Sequence, residues 1–74
     1  MQEPMTLNLS DDEALVLFDL LSRNEEKDVI AVQGEAEASV LANLLVQLER
    51  QLVEPFQPDY RELLDSARKR VEAG

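Results

Sequence analysis

The chain has 74 residues and a formal net charge of −9, and it contains neither cysteine nor histidine. This composition excludes disulfides, thiolate or imidazole metal sites, and nucleophilic catalysis of the Ser–His or Cys–His kind. Such an acidic surface also disfavours nucleic-acid binding, because it repels phosphate. A domain of this length buries only about 60% of the surface that its unfolded chain exposes. Association with a second subunit is therefore the stabilising device that remains.

The first ten residues carry no targeting signal that we can identify. They include Glu3 and Pro4 and lack a basic start and an apolar core, so we expect no signal peptide. The longest apolar run falls far short of the ~20 residues that span a bilayer. The absence of cysteine fits a reducing compartment. We expect a cytoplasmic protein without membrane association, with residues 1–74 in one domain and residues 1–5 flexible.

The first predicted elements are a short strand and a helix. Residues 5–9 alternate between apolar and polar side chains, which is the period of a strand. Ser10 and Glu13 have the spacing of a capping box, and the two aspartates between them favour the positive end of a helix. The sequence therefore predicts a first helix over about residues 11–23.

This first helix carries more apolar residues than one face can use. At about 100° per residue, one stripe contains four side chains: Ala14, Leu17, Phe18 and Leu21. Val16 and Leu20 fall well outside that stripe. A helix that is apolar on more than one face needs more than one packing partner.

Residues 24–28 are predicted to form a charged loop. Residues 29–32 are rich in β-branched side chains and are followed by Gly34, which favours a second short strand over residues 29–33. An early start of the second helix is the alternative, although a glycine inside a helix costs ~1 kcal/mol relative to alanine. The two strands could pair in parallel through a right-handed crossover.

The second helix is predicted over residues 35 to about 53. Its main apolar face is a leucine repeat at helical spacing: Leu41, Leu44, Leu45, Leu48 and Leu52. The opposite side is polar and holds Asn43, Gln47 and Arg50. A second apolar ridge, made of Ala42, Val46 and Val53, lies away from the leucines and is interrupted by Glu49. Replacing Val46 by glutamate is expected to split a dimer formed through this ridge.

Pro55 is expected to end the second helix, because the residue before a proline is pushed out of the helical region. A rigid turn between Pro55 and Pro58 could press the Phe56 ring onto the core. Asp59 and Glu62 have the spacing of a second capping arrangement.

The third helix is predicted from residue 59 or 60 to about residue 72. It has one apolar stripe: Tyr60, Leu63, Leu64, Ala67 and Val71. Its other side has the spacing for ion pairs of Arg61 with Asp65, Asp65 with Lys69, and Arg68 with Glu72. The basic residues 68–70 are explained by the negative end of the helix dipole.

No segment assembles a catalytic or cofactor site. The chain has only two glycines, so a phosphate-cradling loop is missing, and residues 11–13 lack the spacing of a calcium loop. Acyl carrier proteins have a similar size and acidity, and their modified serine lies in an Asp-Ser-Leu motif at a helix start. Here Ser66 lies inside a predicted helix and is followed by Ala67. We predict no enzyme activity, no cofactor and no metal.

Two segments, LSDDEALVLF at residues 9–18 and LVEPFQPDY at residues 52–60, resemble segments of short acidic bacterial proteins. The resemblance covers most of residues 7–71. It implies a bacterial, cytoplasmic protein, and no activity is attached to that group.

The sequence therefore predicts a mainly α, three-helix small domain with one or two very short strands, near the N-terminus and before the second helix. We expect a protein–protein interaction or regulatory module that forms a homodimer. The predicted contact residues are those of the apolar surplus: Val16, Leu20, Ala42, Val46 and Val53. Whether they meet a second copy or another protein stays open. The alternative is an acidic inhibitor, immunity-type or antitoxin-like, that binds a basic surface through five acids: Glu25, Glu26, Asp28, Glu35 and Glu37.

Overall fold

A computed structural model describes residues 6–74, most of which lie in three α-helices. These are α1 (Asp11–Lys27), α2 (Glu35–Gln51) and α3 (Tyr60–Ala73), with a 3-10 helix at Glu54–Phe56 before α3. The predicted mainly α, three-helix architecture is confirmed. The expected flexibility of residues 1–5 lies outside the described residues. Within residues 6–74, no helix is both long enough and apolar enough to cross a bilayer.

The two predicted short strands are wrong within the described part of the chain. Residues 6–9 are irregular and exposed, and residues 29–33 form a loop that is neither strand nor helix. A strand needs a neighbouring backbone for its N–H groups. In this loop, side chains accept them instead: Asn24 Oδ1 accepts from the Ile30 N–H at 2.7 Å, and Glu37 Oε1 from the Gln33 N–H at 2.7 Å. The β-branched residues therefore stay in a loop tied to α1 and α2.

The start of α1 is as predicted, but its end is not. The capping box is confirmed, since Ser10 Oγ accepts from the Glu13 N–H at 3.0 Å and Glu13 Oε1 accepts from the Ser10 N–H at 2.9 Å. Residues 24–27, predicted to be a loop, continue the helix by one turn, because charged straight-chain residues are good helix formers. Lys27 is the last helical residue, and the helix ends there because the backbone of Asp28 is in the left-handed region, with φ 42°.

α1 lies between the other two helices and packs on both, whereas α2 and α3 scarcely touch each other. The core takes side chains from all three helices: Leu15, Phe18, Leu21, Leu45, Leu48, Leu52, Leu64 and Ala67. Leu15 is missing from the predicted stripe, and it is buried because α1 has a second neighbour. Both partners that the apolar surplus of α1 requires are thus present in the chain.

Two arginines near the end of α3 hold it against α1. Arg70 donates to both carboxylate oxygens of Asp12 at 2.7 and 2.8 Å, and Arg68 donates to Asp19 at 2.7 Å. Since Asp12 lies in the first turn of α1, the two helices run antiparallel. The ion pairs predicted along α3 are replaced, among the described residues, by these cross-helix pairs and by a 3.6 Å contact of Arg68 with Asp65.

The connection from α2 to α3 departs from two predictions. The Phe56 ring, expected on the core, is 76% exposed, because the 3-10 helix turns it outward. Asp59 precedes α3 but its side chain makes no capping hydrogen bond. Its ψ of 24° is far from the extended backbone that aims an N-cap side chain at the helix amides.

Candidate interaction surface

A groove of about 690 Å³ lies between residues 6–9 and one side of α2. We call it the N-terminal groove. Its apolar lining comes from the irregular segment, from the start of α1 and from α2: Leu7, Leu9, Ala14, Val40, Leu44, Leu48 and Leu52. The polar lining that the described residues provide consists of four neutral side chains and one carboxylate: Thr6, Asn43, Gln47 and Gln51, and Asp11. The groove is therefore an apolar surface with amides and almost no charge.

The groove is formed by the local structure of its two walls within residues 6–74. Leu48 and Leu52 belong to the buried core at the floor of the groove, whereas Val40 on the adjoining side of α2 is 64% exposed. On the opposite wall, Leu7 is 66% and Leu9 is 41% exposed. The capping box at Ser10 fixes the direction in which this wall enters α1. No described part of the chain fills the space between the two walls.

One line of residues on α2 runs along the groove, and we call it the outer seam. It consists of Val40, Leu44, Gln47 and Gln51, all of which line the groove. Their spacing of four, three and four residues is that of the contact positions in a two-helix coiled coil. The spacing is present in the sequence, but the sequence analysis divided these residues, because it placed Leu44 on the leucine face and Gln47 on the polar side.

The five predicted contact residues do not form one site. Val16 is half-buried and packs against the core, and Leu20 on α1 is also half-buried. On α2, Ala42 is half-buried and lines a second groove of about 310 Å³ beneath the α1–α2 loop. Val46 and Val53 are 43% and 63% exposed, and neither of them lines either groove.

The five acids of the alternative prediction lie around the α1–α2 loop, where all of them are exposed. Three belong to the end of α1 and the loop, and two belong to the first turn of α2. One of the two, Glu37, accepts the Gln33 N–H. This end of the molecule is thus strongly negative.

Titratable groups with shifted pKa values lie between α1 and α3 rather than in either groove. The hydrogen bond from Arg70, helped by the charge of that residue, lowers the pKa of Asp12. Burial, followed by the charge of Asp19, raises the pKa of Tyr60. In residues 6–74 no group of three or more acidic side chains is placed to hold a metal ion.

No known protein family, curated protein or solved structure matches this chain. The candidate surface is therefore defined by the geometry of the N-terminal groove and of the two flanks of α2.

Proposed function

We propose that this chain is a small cytoplasmic protein–protein interaction or regulatory module that self-associates as a homodimer and has no catalytic activity. The supporting observation is its large surface. The accessible area is 6197 Å², whereas a compact folded monomer of 8.4 kDa exposes about 4,600 Å². The excess of about 1,600 Å² is ample for a standard interface, which covers roughly 800 Å² on each partner.

The described surface also carries exposed large apolar side chains. Within residues 6–74 they number nine: Leu7, Leu9, Val29, Val32, Val40, Val46, Val53, Phe56 and Val71. Over the same residues the core holds eight buried side chains. Exposed apolar patches commonly mark interaction sites, and a small core gains stability when a second subunit covers such patches. Both properties favour self-association.

The absence of catalysis is proposed on chemical grounds. The chain has no histidine or cysteine to act as nucleophile or as a base near neutral pH. Ser66, the residue compared with the modified serine of acyl carrier proteins, is exposed in the middle of α3 rather than at a helix start. Over residues 6–74, the N-terminal groove is lined by one carboxylate, that of Asp11, and the carboxylates that line the second groove, Glu25 and Asp28, are exposed to water, which leaves them as ordinary surface acids.

A second candidate function, the acidic inhibitor, is favoured by the separation of charge in the fold. Arg68 and Arg70 are engaged by Asp19 and Asp12 between α1 and α3. The α1–α2 end carries five exposed acids with Lys27 as the basic residue beside them. Such a surface would bind a basic partner with an affinity that falls steeply as salt is added.

The proposed self-association is tested by the mass of the purified full chain in solution, measured by light scattering over a wide dilution series. We expect twice the 8.4 kDa mass of one chain over the upper part of the series, with dissociation on dilution. A mass of one chain at every concentration would overturn the homodimer.

A further inference from the structure

We propose that the N-terminal groove is the self-association face, and that its occupant is the same face of a second copy. In this arrangement the two α2 helices lie against each other along their outer seams, with Leu7 and Leu9 of each copy at the edge of the contact. The inference rests on the proposed self-association and adds the surface that carries it.

Charge restricts which face can join two copies. Each copy carries −9, so the copies repel, and a contact that brought acids together would add to this repulsion. Among the described residues that line the groove, Asp11 alone is charged. Glu49 of α2 lies nine residues from Val40, about 180° around the helix at 100° per residue. The outer seam is thus turned away from this carboxylate. Glu37, three residues before Val40 on the same side of α2, lies outside the groove lining and accepts the Gln33 N–H.

The other apolar flank of α2, the ridge that contains Ala42 and Val46, would bring acids of the two copies together. Glu49 is seven residues after Ala42 and three after Val46, so it lies on the same side of α2 as the helical part of that ridge, and Val53 lies beyond the end of the helix. A symmetric contact through the ridge would bury the Glu49 carboxylate of both copies. Burying a charge without a partner is costly. Arg50 is the cation next to Glu49 in the sequence, so a contact through the ridge would be less favourable than one through the outer seam.

The polar side chains of the groove can form hydrogen bonds with the same side chains of a second copy. A glutamine or asparagine amide both donates and accepts hydrogen bonds, so it can pair with the same residue of a symmetry mate. A two-fold interface uses one patch twice and needs this property. Gln47 and Gln51 on the outer seam have it, and Val40 and Leu44 supply the apolar area.

Two matched variants test this face. Val40→Glu and Val46→Glu make the same change at exposed positions of α2 and give the chain the same net charge. We expect Val40→Glu to raise the dimer dissociation constant by at least ~100-fold, because two unpaired carboxylates would lose water in the contact. Val46→Glu should dissociate within about 3-fold of the parent chain, because exposed single-charge changes contribute little. Light scattering of each full chain over the same dilution series provides both values.

The outcomes separate the two proposals. A parent chain that never dimerises overturns the proposed function, and this inference with it. If the parent dimerises, two results would overturn the groove as the interface. One is a dissociation constant of Val46→Glu that equals or exceeds that of Val40→Glu, and the other is a dissociation constant of both variants no higher than that of the parent. Far-UV circular dichroism checks that each variant keeps its helices. If Val40→Glu loses helix content, Gln47→Glu replaces it, because Gln47 is an exposed residue of the same seam and the same increase in the dissociation constant is expected.

Discussion

Replacing Leu21 by alanine should remove a large part of the stability of the fold. Leu21 is 2% exposed and is the most deeply buried large side chain. The substitution deletes three carbons, which at ~0.8 kcal/mol each amount to about 2.4 kcal/mol of lost transfer free energy. The cavity left between the helices raises the expected loss to about 3–4 kcal/mol. At 0.05–0.15 kcal/mol per residue, a chain of this length has a free energy of unfolding of about 4–11 kcal/mol. The variant should therefore lose about a third or more of it.

Leu20→Ala is the matched control, since it makes the same change one position earlier. Leu20 is half-buried and outside the core cluster, so its truncation should cost about 1 kcal/mol or less. Urea unfolding followed by far-UV circular dichroism measures both losses, at one chain concentration because association adds stability. With a slope of about 1 kcal/mol per molar urea, the Leu21→Ala midpoint should fall by roughly 3 M. Equal shifts for the two variants would refute the placement of the core.

Two other changes probe the helix ends. The hydrogen bond from Arg70 holds the pKa of Asp12 below its ordinary value of 3.8, so the pair stabilises the fold above that pH and ceases to do so as the pH falls through the lowered pKa. Asp12→Asn should therefore be less stable than the parent at neutral pH and equal to it in strong acid; a urea-unfolding gap that does not narrow with falling pH contradicts this. Asp28→Gly should raise the free energy of unfolding by about 0.5–1 kcal/mol, because glycine adopts the φ of 42° without strain. A lower thermal midpoint for that variant would contradict the expectation.

The helices were predictable where local residues specify them. Ser10 and Glu13 satisfy each other's amides whatever the rest of the chain does, so the start of α1 followed from four residues. The apolar residues of the α2 leucine repeat and of the α3 stripe recur at a spacing that places them on one face only if the segment is helical. These elements needed no knowledge of their neighbours.

The wrong predictions concern features that depend on distant parts of the chain. The β-branched loop at residues 29–33 matches a strand pattern, but residues 6–74 contain no strand with which it could pair, and the side chains of Asn24 and Glu37 accept two of its N–H groups. The charges of residues 24–27 suggested a loop, although the same residues tolerate a helix until Asp28 turns left-handed. Phe56 points outward because the orientation of a 3-10 turn depends on where the next helix must begin.

The candidate surface was the least predictable part. The outer seam has a regular spacing, but two of its four residues are glutamines, which do not indicate a contact surface. The other wall of the groove is an irregular segment for which the sequence predicted a strand. The pairs of Arg70 with Asp12 and of Arg68 with Asp19 join residues far apart in the chain. Such pairs follow from the packing of α3 on α1, which no local pattern reveals.

The response of self-association to salt tests most directly whether two acidic copies meet through the N-terminal groove, whose described lining has the single carboxylate of Asp11. Raising ionic strength from about 0.05 M to about 0.5 M shortens the Debye length and screens the repulsion between copies. The dissociation constant of the dimer, measured by light scattering, should therefore fall as salt is added. A dimer that weakens as salt is added would mean that ionic pairs hold it together, and would contradict an interface formed by the N-terminal groove.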